Sequence, residues 1–301
     1  MLKDKYVVGI GEVLWDLLPS GRRIGGAPAN FVYHVTCSGC SGMLVSAVGR
    51  NDSDGNEICR ELERLGIEAS LERVAYPTGR VSVALDKDGV PEYDIVKGVA
   101  WDNIAFTDEL EAIAHRTVAV CFGSLAQRNP VSRQAIMKFV DAVPDTPETY
   151  KVFDINLRQD FYDREILERS MQRCNILKIN DGELLKLREI FYEESMPDSE
   201  VCSRLKEDFS LKYLILTCGA ENSFVYADDK IIFRDTPKVK VADTVGAGDS
   251  FTAAFVAALL KGSGAEEAHS IAVETSAYVC TQKGAMPDMS AFYGKTVAGL
   301  R

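Results

Sequence analysis

No apolar run in the 301-residue chain approaches the roughly 18 residues a membrane-spanning helix needs, so no span and no membrane partner is expected. Basic residues are outnumbered: 34 Lys and Arg against 45 Asp and Glu leave a net charge of −11, which argues against a nucleic-acid partner. Histidine is scarce, with only His34, His115 and His269, and none stands at the spacing of a helical zinc site. No secretory leader is expected either. Met1 to Lys5 run straight into Tyr6–Glu12, which reads as a strand ending in an acid. Without a leader, the 8 scattered cysteines read as reduced thiols and the chain as cytoplasmic. Cys37 and Cys40 form the one close pair; they follow a helical run and flank Gly39, a context for small buried side chains rather than for redox or metal chemistry. Neither a P-loop (G-x-x-x-x-G-K-[ST]) nor a hydrolase elbow (G-x-S-x-G) occurs. Gly9 and Gly11 hint at a dinucleotide fingerprint, but Leu14 replaces its third glycine and Glu12 would repel a pyrophosphate.

What is present alternates. Runs rich in Val, Ile and Tyr at 6–10, 43–48, 81–85, 117–122, 150–155, 175–179, 213–217, 223–227 and 230–233 predict strands. Helical patterns fall at 28–38, 54–65, 107–115, 131–141, 181–192, 198–208, 248–261 and about 265–281. Such alternation implies an α/β fold with a mostly parallel sheet, helices on both faces, and ligands beyond the carboxyl ends of the strands. Two segments, about 12–25 and 70–100, break the rhythm. The second holds a hairpin signal at Asp88-Gly89, and together they predict a small β-sheet lid on a single domain spanning 1–301. Exposed lid edges could pair two subunits into a homodimer.

Five motifs sit at predicted strand ends or helix starts. Asp243 to Thr252 place Gly246, Ala247 and Gly248 before an Ala-rich helix, so several backbone N–H groups and the positive end of a helix dipole can face one anion. Asp249 then sets a carboxylate beside that anion, which suits a base accepting a proton from an attacking hydroxyl; the plainer reading makes Asp249 or Ser250 a helix N-cap. Gly25 to Asn30 form a glycine turn before a helix with Pro28 in its first turn, and Asp16 precedes them as an acceptor for hydroxyls. Asp154, Asn156 and Arg158 alternate at the end of a strand and would share one side of it. Asn180 and Glu183 read as a capping box, or as a pair for phosphate oxygens and a hydrated Mg2+. Thr217-Cys218-Gly219 closes another strand.

Together these motifs resemble the ribokinase-like (PfkB) carbohydrate kinases nearly end to end, most specifically in Gly25-Gly26-Ala27-Pro28-Ala29-Asn30 and in Asp243 through Asp249. Within that family the chain is most similar to bacterial fructokinases, on Gly11-Glu12 through Asp16, on Phe122 through Arg128 and on Asp154 through Arg158. The resemblance implies a three-layer α/β/α fold with a small β-sheet lid. It also implies ATP-dependent phosphorylation of a sugar hydroxymethyl group, most similar to a fructokinase making fructose 6-phosphate. Alternatives are a kinase for ribose, ketodeoxygluconate, a nucleoside or a sugar phosphate, or a regulator that binds sugar or nucleotide without catalysis. By the same resemblance Asp249 is the base, and Gly246, Ala247 and Gly248 are the anion hole. Asp16, Gly26, Asn30, Gln127 and Arg158 face the sugar or its new phosphate. Asn180, Glu183, Thr217, Gly219, Gly248 and Gly284 serve ATP, with Mg2+ on Glu183 through water and a monovalent cation such as K+ on Asp243. One departure stands out: the nucleotide loop reads Thr217-Cys218-Gly219-Ala220-Glu221-Asn222 where the family usually ends on glycine. Asn222 is expected to tolerate the positive φ that glycine would take.

Overall fold

The computed structural model describes residues 5–18, 21–85, 91–228 and 230–298; the Asp88-Gly89 hairpin signal lies outside them. The chain begins with β1 (Tyr6–Ile10), followed by β2 (Leu14–Leu18), β3 (Gly21–Gly25), α1 (Ala27–Cys37), β4 (Gly42–Gly49), α2 (Ser53–Arg64) and β5 (Glu68–Val74). Next come β6 (Gly79–Leu85), β7 (Pro91–Ile95), α3 (Asp108–Ala114), β8 (Thr117–Phe122), α4 (Pro130–Ala142), β9 (Tyr150–Asp154), α5 (Arg164–Met171) and β10 (Ile176–Asn180). The remainder comprises α6 (Asp181–Phe191), α7 (Asp198–Asp208), β11 (Tyr213–Cys218), β12 (Asn222–Ala227), β13 (Lys230–Asp235), α8 (Ala247–Leu260), α9 (Ala265–Cys280) and α10 (Ser290–Ala298).

The central sheet runs β13-β12-β11-β10-β9-β8-β1-β4-β5, parallel from β11 through β5 and antiparallel only at β12 and β13. Its central strands are apolar along their whole length because both faces are covered. One face packs on α1, α2, α8 and α9, the other on α3 to α7, giving two hydrophobic cores and three layers. Helix α8 is apolar all round, Phe251 to Leu259 being buried, because it lies between the sheet, α1 and α9. The chain leaves β1 toward β4 and β5 and later returns to β8 on its other side, so the topological switch point lies at the carboxyl end of β1.

The expected lid is present as a second sheet, β3-β2-β6-β7. One expectation changes: residues 68–74, assigned in part to the lid, form β5 at the edge of the central sheet, parallel to β4 with α2 as the crossover. Glu68, Glu72 and Arg73 suit a half-exposed edge and mask the strand pattern. Helix α5 was not foreseen, although parallel β9 and β10 require a crossover. Asp163 caps it by accepting the Ile166 N–H at 2.7 Å.

Gly9 explains the incomplete fingerprint. A Cβ there would lie 2.5 Å from the Pro28 carbonyl oxygen and 2.8 Å from Val32 Cγ2, so the glycine exists to let α1 lie directly on β1. Gly9→Val should therefore destabilise the fold by about 1–3 kcal/mol through overpacking, read as a lower urea midpoint; an unchanged midpoint would contradict this close approach.

Candidate active site

Helix α8 starts at Gly246, whose φ of 77° is left-handed and whose Cβ, if present, would lie 2.6 Å from Ala285 Cβ. The cap is therefore Gly246 itself; neither Asp249 nor Ser250 is the N-cap residue. The Ser250 hydroxyl donates to the Ala247 carbonyl at 2.9 Å. The Asp249 carboxylate instead accepts a hydrogen bond from Asn30 Nδ2 at 2.7 Å, at the floor of the cleft and only partly reached by solvent. Burial pushes Asp249 up to about 6, helped by the charge of Asp154 and opposed by Asn30, Lys178 and Arg158. A narrow crevice runs from Asp249 and Asp154 past Pro28 and Phe31 to Cys121 and Gly123.

Beneath the glycine loop lies a buried ion pair, Lys178 Nζ to Asp154 Oδ1 at 3.2 Å. Thr252 Oγ1 donates to Asp154 Oδ2 at 2.9 Å. A Cβ on Gly248 would come within 3.0 Å of Lys178 Nζ, which places the ammonium directly under the anion loop. Burial works against that charge, but Asp154, Glu183 and Asp249 outweigh it and hold Lys178 above its ordinary value. Lys178, Asp154 and Thr252 were not assigned site roles from the sequence, because neighbouring strands and helices bring them together.

At the junction of β10 and α6, the capping box is real. Asn180 Oδ1 accepts the Glu183 N–H at 2.8 Å, and Glu183 Oε2 accepts the Asn180 N–H at 2.8 Å. Glu183 Oε1 accepts the Leu157 N–H at 3.1 Å, and burial raises this carboxyl despite Lys178 nearby. Each oxygen spends one lone pair on a backbone N–H and keeps another, which a water carried by Mg2+ could donate to. Among the described residues no cluster of three His, Cys, Asp or Glu could hold a metal alone, so such an ion would depend on nucleotide phosphates. Thr217 stands opposite Asn180 in the β10–β11 register, and Gly219 turns with φ 54°. Asn222, expected at positive φ, instead opens β12 opposite Cys218, so Gly219 alone supplies the left-handed residue of this turn. The Glu221 side chain is exposed. Asp243 accepts the Val245 N–H at 3.1 Å and the Gly284 N–H at 2.9 Å. Arg23 of the lid strand β3 reaches the same carboxylate at 3.7 Å. His34, pushed down to about 4 by burial and hence neutral, bonds the Ala285 carbonyl oxygen at 2.8 Å and so braces the loop that packs on Gly246.

Toward the second sheet, Asp16 projects from β2 across Gly25, where any Cβ would strike its carboxylate, and burial pushes it up to about 6. Gly26 has φ 112° and packs against the Glu12 carbonyl oxygen. Arg158 is exposed, and its charge is felt at both Asp249 and Glu12. Two expectations are corrected. Gln127 is not brought to the site: it is 1% exposed, and its amide donates to the Gly123 carbonyl at 2.8 Å and to Ser170 Oγ of α5 at 2.9 Å. Residues 154–158 do not share a strand face, because β9 ends at Asp154 and Asn156 turns with φ 46°. Glu12, read from the sequence only as a repulsive acid, is fully buried and pushed up to about 7.

The chain matches the pfkB family carbohydrate kinase over residues 20–291. It is 26% identical over 306 residues to the ATP-dependent 6-phosphofructokinase of Thermoanaerobacterium thermosaccharolyticum, covering 95% of this chain and 91% of that one. It is 25% identical over 296 residues to a fructokinase of Salmonella typhimurium, covering 92% and 94%. A sugar kinase of Pyrococcus horikoshii, solved in complex with ATP, superposes with a TM-score of 0.79 at 25% identity over 93% of this chain and 94% of the other.

Asp16 and Asp249 near 6 and Glu12 near 7 keep protons in the folded chain at pH values where the unfolded chain has released them. The folded state thus binds more protons from about pH 4 to 7, and these groups cost stability as pH rises through that window. Asp249→Asn, which cannot ionise, should raise the melting temperature at pH 8 and change it little at pH 4. Calorimetry at both values checks this; an equal shift at both, or a fall at pH 8, would contradict the burial of the charge.

Proposed function

The chain belongs to the pfkB family of carbohydrate kinases, and from that footing we propose that it transfers the γ-phosphoryl group of ATP to the 6-hydroxymethyl group of D-fructose in the cytoplasm. The observation that carries this reading is the 2.7 Å bond from Asn30, in the sugar-side motif, to Asp249, at the mouth of the anion loop. It puts a hydroxyl-binding motif and a base side by side.

Near neutral pH Asp249 is ionised and accepts from Asn30 while leaving lone pairs for the substrate hydroxyl. In a loose phosphoryl-transfer transition state positioning and charge stabilisation do most of the work, so the base orients the hydroxyl and takes its proton late. The amides of Gly246 and Gly248, backed by the Lys178 ammonium, would meet the charge on the moving phosphoryl group, whereas the Ala247 N–H is turned to the Thr244 carbonyl at 3.3 Å. Asp16, Gly26 and Asn30 hold the sugar, and Arg158 meets the phosphate. Asn180, Thr217, Gly219 and Gly284 line the nucleotide. Mg2+, held through water by Glu183, would offset the charge of the ATP phosphates, and a monovalent cation such as K+ would sit at Asp243. The lid arginines favour an unphosphorylated sugar: Arg22 and Arg80 both pair with Asp54, at 3.1 and 2.6 Å, which leaves their charge spent on the protein.

ADP release with fructose, ribose, ketodeoxygluconate, adenosine and fructose 6-phosphate tests the substrate. Fructose should turn over best; turnover only with another acceptor would overturn the fructose assignment, and turnover with none would favour a binding regulator. Asp249→Ala should lower kcat by about 10²-fold or more with the fold intact. In the wild type, kcat/KM should fall as pH drops below about 6, as the base takes up a proton.

A further inference from the structure

Helix α1 carries the Asn30 that grips Asp249, yet its own start is poorly capped. Its N-cap is Gly26, no side chain there bonds the first turn, and no acidic residue lies in that turn. The missing carboxylate comes from another element. Glu12, two residues beyond β1 at the switch point of the sheet, accepts the Ala27 N–H at 3.3 Å through Oε1. Its backbone carbonyl packs against Gly26, and the Gly26 carbonyl accepts the Asn30 N–H at 3.0 Å. Glu12 is thus one helical turn from the residue that holds the base. It is 2% exposed, and among the described residues Oε2 has no hydrogen-bond partner, an expensive arrangement for a group that only caps. The charged and titratable groups facing it are Asp249 of α8, Arg158 beyond β9 and Cys121 of β8.

We propose that Glu12 is a positioning residue for Asp249, anchoring the first turn of α1 so that Asn30 aims the base, and coupling its own charge to that of Asp249. The inference rests on the phosphoryl-transfer reading for its kinetic expression, but not for its structural one. Ionised, Glu12 complements the positive start of α1. Protonated, it is a weaker acceptor and the first turn loosens. Burial raises both acids, Glu12 to about 7 and Asp249 to about 6, and the Asp249 charge adds to the rise at Glu12, so the pair takes up its protons in two steps across the working range.

Two variants separate cap from charge. Glu12→Gln keeps an acceptor for Ala27 but cannot ionise; Glu12→Ala removes both. The acid side of the wild-type kcat/KM profile should show two ionisations, between about 6 and 7, and Glu12→Gln should retain only one. Glu12→Ala should lose about tenfold or more in kcat, and Glu12→Gln should recover most of it. Superimposable pH profiles for wild type and Glu12→Gln would overturn the proposal, as would full kcat in Glu12→Ala. Should Glu12→Ala fail to fold, the Glu12→Gln profile alone decides. A second readout needs no turnover: the Asn30 side-chain amide resonance, followed by 15N NMR in the unliganded protein, should titrate in two steps in the wild type and in a single step, that of Asp249, in Glu12→Gln. An Asn30 signal that ignores Glu12 would sink the positioning claim even if the enzyme phosphorylates sugar. A signal that follows Glu12 in a protein inactive on every sugar would sustain it while overturning the functional reading.

Discussion

The hydrogen bond from Asn30 to Asp249 joins residues 219 positions apart and is the constraint around which the rest is arranged. A carboxylate at the floor of an apolar cleft tends to protonate and thereby lose its use as a base. Here burial does raise Asp249, but the Asn30 amide, Lys178 and Arg158 hold it to about 6. The surrounding acids, Asp154 and Glu183, are each tied down by a cation or by backbone N–H groups. The site is thus a crowd of negative charge in which one carboxylate is left available. That arrangement costs stability, and the two large cores on either side of the sheet absorb the cost.

Topology makes the crowd possible. Strands β1, β8, β9, β10 and β11 run parallel, so their carboxyl ends deliver Glu12, Asp154, Lys178, Asn180 and Thr217 to one edge of the sheet. Helices α1 and α8 bring their N-termini to the same edge, and contact each other along their length. Glycines mark where backbones must nearly touch: Gly9 under α1, Gly26 on Glu12, Gly246 on Ala285 and Gly248 over Lys178. The lid contributes from above, with Asp16 over Gly25 and Arg23 reaching Asp243.

Contiguous features were legible in the sequence. The alternation of strands and helices, the lid as a separate small sheet, the glycine loop before Asp249 and the Asn180–Glu183 capping box each reside within a few residues, and local chemistry states them. What depends on neighbours was not. Lys178 looks like an ordinary residue in an apolar strand until β9 sets Asp154 beside it. Gln127 looks like a polar residue at a strand end, but the short 3-10 turn over Leu125–Gln127 carries it toward α5. Asn156 breaks the alternation of its strand by a left-handed turn that no pattern of residue types announces. Glu12 was visible but misread, because its repulsion of a phosphate was weighed without the helix start that it completes. Strand β5 was hidden by its charges, and α5 by its brevity.

The most direct test of the account is a double-mutant cycle on kcat for Asn30→Ala and Asp249→Asn with fructose as acceptor. If Asn30 acts on kcat by holding the base, that effect disappears once the base is gone, whatever Asn30 adds to sugar affinity in KM, and the double variant should have a kcat no lower than that of Asp249→Asn alone. If the two losses multiply, Asn30 and Asp249 act independently, and the hydrogen bond between them is not what organises the site.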